Sequence, residues 1–198
     1  MKVTGEKIGL FGGTFDPVHI GHLIIAESVG EYACLDTVIF IPSANPPHKS
    51  SDMMFSAEER FKMLSLAVND NPRFIVSNVE MKRNGPSYTI DTIKEMKSAF
   101  PQDTELSFIL GMDNLFEIDL WKNPHEIIKE CNLLVARRVC DEYGEVPVWL
   151  KANVEMVDVP LIGISSSDIR RRIKNGKSIR YLVPDAAVEV IKKRIRDS

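Results

Sequence analysis

Two histidines, His19 and His22, stand three residues apart with Gly21 between them, just after the run Leu-Phe-Gly-Gly-Thr-Phe-Asp-Pro-Val at positions 10–18. Imidazoles so spaced at a helix start can donate to a phosphate or ligate a metal. A metal would want further His or Cys beside them, and none clusters there. The preceding Gly12-Gly13 lets the backbone bend and keeps no ligand at a distance. A dinucleotide-binding turn would want Gly-x-Gly-x-x-Gly. Residues 12–17 read Gly-Gly-Thr-Phe-Asp-Pro, with Pro17 where that motif enters its helix. Strand, glycine turn and helix N-terminus form a phosphate cradle, because free N–H groups and the helix dipole favour an anion.

Further candidates lie along the chain. The loop at 42–49, Pro-Ser-Ala-Asn-Pro-Pro-His-Lys, is held extended by its prolines and ends at His48 and Lys49. Gly85-Pro86 makes a turn before Ser87, Tyr88 and Thr89, which open a helix whose N-terminus can accept an anion. Asp113, two residues past Gly111, suits a ribose, a metal-bound water or a helix cap. Trp121 is either core or a stacking surface. Ser165-Ser166-Ser167 mark another helix start, with Arg170 one turn after Ser166 and able to reach the same anion. No Ser, Cys or Lys sits beside a general base, as covalent catalysis would want.

These residues need a scaffold of alternating strands and helices. Apolar runs at 8–11, 37–41, 73–77, 105–110, 131–136 and 154–159 read as strands. Helical rhythms occupy 20–33, 57–68, 124–130 and 184–195, with others after the starts at 87–89 and 165–167. The pattern predicts an α/β, doubly wound, mainly parallel sheet with a small C-terminal helical part. In such a sheet, loops leaving the carboxyl ends of strands line the ligand crevice. Ser56-Ala-Glu-Glu59 is a capping box opening a helix with Ala57, Phe61, Leu64 and Val68 inward. Arg60 falls off that stripe and reads as solvated.

The 198 residues suit one domain, 1–198, in which about 160–198 is a helical subregion closing the cradle. A net charge of −3 argues against a general nucleic-acid binder, though not against a local basic pocket. Cys34, Cys131 and Cys140 show no metal spacing and point to reduced thiols in a cytoplasmic protein. No run approaches the roughly 20 apolar residues of a membrane span.

Five segments together resemble the bacterial-type nicotinate-mononucleotide adenylyltransferases, within the nucleotidyltransferases that share a His-x-Gly-His motif. They are residues 12–22, 42–49, 86–92, Gly111-x-Asp113 with Trp121, and Ile164-Ser-Ser-x-x-Ile-Arg170, in the family's order. The resemblance implies a Rossmann-like nucleotidyltransferase fold. It also implies adenylyl transfer from ATP to nicotinate mononucleotide, with pyrophosphate released and Mg²⁺ carried on the triphosphate.

The residues then take roles. ATP falls to Gly12, Gly13, Thr14, Phe15, His19, His22, Gly111, Asp113, Arg137, Ile164, Ser165, Ser166 and Arg170. The acceptor falls to His48, Lys49, Tyr88, Thr89 and Trp121. His19, His22, Lys49 and Arg170 carry the catalysis. Protein side chains supply no metal site of their own. Small-molecule substrates are the partners, without nucleic acid or membrane, and a homo-oligomer remains open. Two positions depart from the family pattern: Arg137-Arg138-Val139-Cys140 replaces Arg-Pro-Gly, and Ser167 stands where threonine is usual. Sister adenylyl- and cytidylyltransferases, and a nucleotide sensor without turnover, are the competing readings.

Overall fold

The computed structural model describes residues 7–46, 53–138 and 146–196. Six strands form a single sheet: β1 (Lys7–Gly13), β2 (Thr37–Pro42), β3 (Phe74–Val76), β4 (Glu105–Gly111), β5 (Asn132–Arg138) and β6 (Val154–Val159). Their order is β3-β2-β1-β4-β5-β6, and every adjacent pair is parallel. The order reverses between β1 and β4, so a crevice opens at their carboxyl ends. Gly12-Gly13 and Gly111 end those two strands.

Alternation along the strands builds two cores. Val38, Phe40, Ile109, Leu134 and Ala136 face one way and pack with α1 (Ile20–Tyr32), α2 (Ala57–Ala67), α6 (Ser166–Lys174) and α7 (Asp185–Arg196). Ile8, Leu10, Ile39, Ile41, Phe108, Leu110, Leu133 and Val135 face the other way. There they meet α3 (Thr89–Ser98), α4 (Met112–Phe116) and α5 (Pro124–Glu130). Strands sealed on both faces need apolar residues at nearly every position, which is why they read as unbroken runs.

The predicted capping box forms: Ser56 Oγ accepts from Glu59 N–H, and Glu59 accepts from Ser56 N–H. The face of α2 differs from expectation. Its buried residues are Arg60, Met63, Leu64 and Ala67, and Arg60 has no exposed surface. A guanidinium goes inside only where acceptors meet it. Here Nη1 donates to the Thr14 carbonyl at 2.7 Å and Nε to that of Phe55 at 3.3 Å. Arg60 is therefore a strut beneath the Gly-Gly turn, not a surface residue.

No helix among the described residues is long and apolar enough to cross a membrane.

Candidate active site

The turn after β1 is shaped by aromatic packing as much as by backbone freedom. Phe15 adopts φ +50°, costly for a bulky residue, and its ring is buried. Edge contacts hold that ring against Phe11, with centroids 5.6 Å apart, and against His22 at 4.9 Å. A Cβ on Gly13 would stand 3.0 Å from the Phe15 ring, and one on Gly12 would stand 2.9 Å from Phe108. Both glycines sit tight against aromatic rings before any ligand arrives.

His19 and His22 stack, with centroids 3.6 Å apart and planes 22° off parallel. The His19 backbone N–H donates to His22 Nδ1 at 3.1 Å, so a neutral His22 carries its proton on Nε2. Among the described residues no hydrogen-bond partner meets the buried His19 Nδ1, and an unpaired lone pair is tolerated better there than an unpaired N–H. The proton of His19 therefore also belongs on Nε2. Gly21 permits this arrangement, because a Cβ there would come within 3.0 Å of His19 Nδ1. Burial lowers the His19 pKa to about 4. Burial and the neighbouring His19 take His22 well below the usual imidazole value. At neutral pH the pair consists of uncharged N–H donors rather than cations.

Helix α6 docks onto the same turn. Ser165 Oγ is used as the N-cap, accepting from Asp168 N–H at 3.1 Å. Ser166 Oγ donates to the Pro17 carbonyl at 2.9 Å. Arg170 Nη1 donates to the Asp16 carbonyl at 2.8 Å and lies 3.6 Å from the Asp16 carboxylate. Asp16 is buried, and its two oxygens accept from the N–H groups of Met54 and Phe55. Ile164 packs against the core just before α6. Ser166 gives its hydroxyl proton to Pro17, whereas Ser165 Oγ only accepts at the cap and keeps its own proton, so α6 offers that hydroxyl, its first backbone N–H groups and the outer part of Arg170. Arg171 and Arg172 turn away, to Asp168 and to the Ser178 carbonyl.

On the far side of the crevice, the strand-end loop and the start of α3 are stitched together. Ser87 N–H donates to the Asn45 carbonyl, and Asn45 N–H donates to Ser87 Oγ. Tyr88 is the N-cap of α3 but supplies no side-chain cap, so Thr89 begins the helix with its dipole open. Thr92 donates to the buried Glu80 at 2.6 Å and anchors this helix start from below. Lys122 pairs with Asp91 at 2.9 Å and lies 4.7 Å from the Tyr88 ring centre, bringing Trp121 to the same corner. Trp121 meets Phe108 edge-on at 6.2 Å and stays half-buried, so it serves the core while keeping a free surface.

Gly111 faces open space at the end of β4, and Asp113 is exposed on α4. Arg137 is held by Asp158 at 2.7 Å across β5 and β6. His48 and Lys49 lie outside the described residues. Among the described residues no three His, Cys, Asp or Glu side chains gather as a metal site would require.

Asp16 has no role in the sequence reading, and Arg60 is there read as solvated. Arg60 could have been found, since it shares the 3–4–7 spacing of Met63, Leu64 and Ala67. Asp16, between Phe15 and Pro17, gave no signal of its own.

The sequence model of the cytidylyltransferase-like family matches residues 10–172. A Dehalococcoides mccartyi chain described as "Probable nicotinate-nucleotide adenylyltransferase" is 42% identical over 193 residues, covering 94% of this chain and 95% of that one. The chain belongs to that family. A Thermus thermophilus relative of the same description is 45% identical over 187 residues, covering 94% of this chain and 97% of its own. In fold, the structure is similar to Plasmodium falciparum nicotinic acid mononucleotide adenylyltransferase complexed with NaAD. The TM-score is 0.79 at 18% identity, over 95% of both chains. The Rossmann-like nucleotidyltransferase fold read from the motifs is thus the fold observed, and family membership makes the chain an enzyme of nucleotidyl transfer.

Proposed function

We propose that this chain transfers the adenylyl group of ATP to nicotinate mononucleotide, giving nicotinate adenine dinucleotide and pyrophosphate in the cytoplasm. The stacked pair of neutral, Nε2-protonated histidines at a helix start carries this reading. A phosphate oxygen of the acceptor attacks the α-phosphorus of ATP as the bond to the β-phosphate bridging oxygen breaks. An anionic phosphate is already a nucleophile, so the protein must chiefly align two phosphates and stabilise the charge that develops. His19 and His22 donate from Nε2 to the ATP phosphates. Donors fixed before reaction and shielded from water gain most as transition-state charge develops.

Gly12, Gly13, Thr14 and Phe15 shape the nucleotide's floor. Gly111 and Asp113 meet its ribose side, and Arg137 lies towards the base. The helical part that begins near residue 160 closes this half, with Ile164, Ser165 and Ser166 setting the start of α6 and Arg170 meeting the departing pyrophosphate. Lys49 and His48 screen repulsion between the two anionic substrates. A divalent cation, Mg²⁺, fits as a passenger on the triphosphate: the donors aimed at the cradle are N–H groups, which suit phosphate oxygens rather than a metal. It would neutralise phosphate charge.

The acceptor's ring stacks at Trp121, and its carboxylate meets the uncapped start of α3 at Tyr88 and Thr89. Pyrophosphate release, measured with ATP, Mg²⁺ and each candidate acceptor, tests the proposal. Turnover with nicotinate mononucleotide supports it, and turnover only with phosphopantetheine or with CTP-dependent substrates removes it.

A further inference from the structure

Asp16 has surroundings that a structural turn does not require. Its carboxylate is almost wholly enclosed, with one oxygen accepting from Met54 N–H at 3.0 Å and the other from Phe55 N–H at 2.9 Å. Those contacts fix the plane of the carboxylate, but a neutral carbonyl could serve either N–H. A full negative charge in such a place is costly unless a cation answers it. The cation in contact is Arg170, whose Nη1 lies 3.6 Å from Oδ2 and 2.8 Å from the Asp16 carbonyl. Arg60 lies behind, donating to the carbonyls of Thr14 and Phe55, the neighbours of this joint in the turn and in the 53–55 segment. Arg170 is thus held through Nη1, one corner of its guanidinium. Among the described residues its Nη2 donates only to Ser167 Oγ, at 3.2 Å, and the side chain keeps a quarter of its surface exposed. A guanidinium carries five donors in a rigid fork, so fixing one corner aims the rest.

We propose that Asp16 is a positioning residue that holds Arg170 with its free edge turned to the anion in the cradle. It touches neither substrate and acts only through Arg170, and the proposal rests on the adenylyl-transfer reading above. An arginine held in place before ATP arrives loses less rotamer freedom when it binds. The alternative is that Asp16 merely ties segment 53–55 to the turn.

A double-mutant cycle in the full-length enzyme separates these roles, using wild type, Asp16→Asn, Arg170→Lys and the double variant. kcat and KM are measured for ATP and for the acceptor, with thermal melts alongside. Lysine keeps the charge but has no second edge to aim. The expected result is a loss of about 10- to 100-fold in kcat/KM for ATP from Asp16→Asn in the wild-type background, the scale of one charge-assisted contact. In the Arg170→Lys background the same change should cost less than about threefold. The acceptor's KM should hold within about twofold. Equal factors in both backgrounds would overturn the proposal.

If Asp16→Asn does not fold, ¹⁵N spectra of the wild-type guanidinium groups decide, with Arg170 assigned by its loss in Arg170→Lys. Resolved Nη signals, meaning slowed rotation, support the grip, and one averaged signal refutes it. Absence of wild-type turnover would refute the function itself, a failure distinct from either outcome.

Discussion

Lowering the pH should weaken the folded protein through His19 in an amount that can be worked out. In the folded chain burial holds the His19 pKa to about 4, against about 6.5 in an unfolded one. Between those values the unfolded chain binds a proton that the folded chain refuses, so stability rises with pH. The contribution is fully present above about pH 6.5 and is lost as pH falls towards 4. The full difference is about 3 kcal/mol, at 1.36 kcal/mol per unit, and about 2 kcal/mol of it is gone by pH 5.

Urea unfolding of wild type and His19→Asn at pH 7 and pH 5 isolates this effect, since asparagine packs a polar group there but does not titrate. With an m value of about 2 kcal/mol/M, the wild-type midpoint should fall about 1 M further than that of the variant. His22 pulls in the same direction in both proteins, and part of its depression comes from His19, which enlarges the gap. Equal midpoint shifts in the two proteins would refute the account of a desolvated, neutral donor pair.

Three further substitutions probe the same construction. Gly21→Ala should leave the melting temperature unchanged or raised, because alanine favours the helix by about 1 kcal/mol. The new Cβ would push the His19 ring from 3.0 Å, so turnover should drop while stability does not, and unaltered turnover would show the ring's placement to be irrelevant. Arg60→Met strips a donor from the Thr14 and Phe55 carbonyls. A loss of about 3 kcal/mol should follow, lowering the melting point by roughly 6–12 °C, as calorimetry would read. His22→Ala should cut turnover about 100-fold or more, the usual penalty for one preorganised oxyanion donor, with KM for ATP changed only a few-fold. A variant whose kcat survives would remove His22 from the chemistry.

Most of the fold was legible because its signals are local. Strands buried on both faces leave apolar runs of the right length, and β6 and α5 fall where the sequence put them. The stacked histidines beside the Gly-Gly turn were legible as neighbours because the turn, the helix start and both imidazoles sit within a dozen residues. Contacts that close over long sequence separations were not. Asp16 receives its N–H donors from residues 38 and 39 positions away, and its arginine from 154. Arg60 was misread because the inward stripe was drawn through Ala57, Phe61, Leu64 and Val68, whereas the helix turns Arg60, Met63, Leu64 and Ala67 inward. The serines at 165 and 166 looked alike in sequence, yet one caps its helix and the other bonds to Pro17. Only the docking of α6 against the turn separates those two uses.

In the proposed reaction the uncapped start of α3 and the free surface of Trp121 select an acceptor bearing a ring carboxylate. Initial rates of ATP-dependent pyrophosphate release, with nicotinate mononucleotide and nicotinamide mononucleotide compared as kcat/KM, test it most directly. A helix N-terminus receiving a full negative charge predicts at least a tenfold preference for the acid, as for roughly 1.4 kcal/mol of differential binding. Equal kcat/KM for the acid and the amide would contradict it.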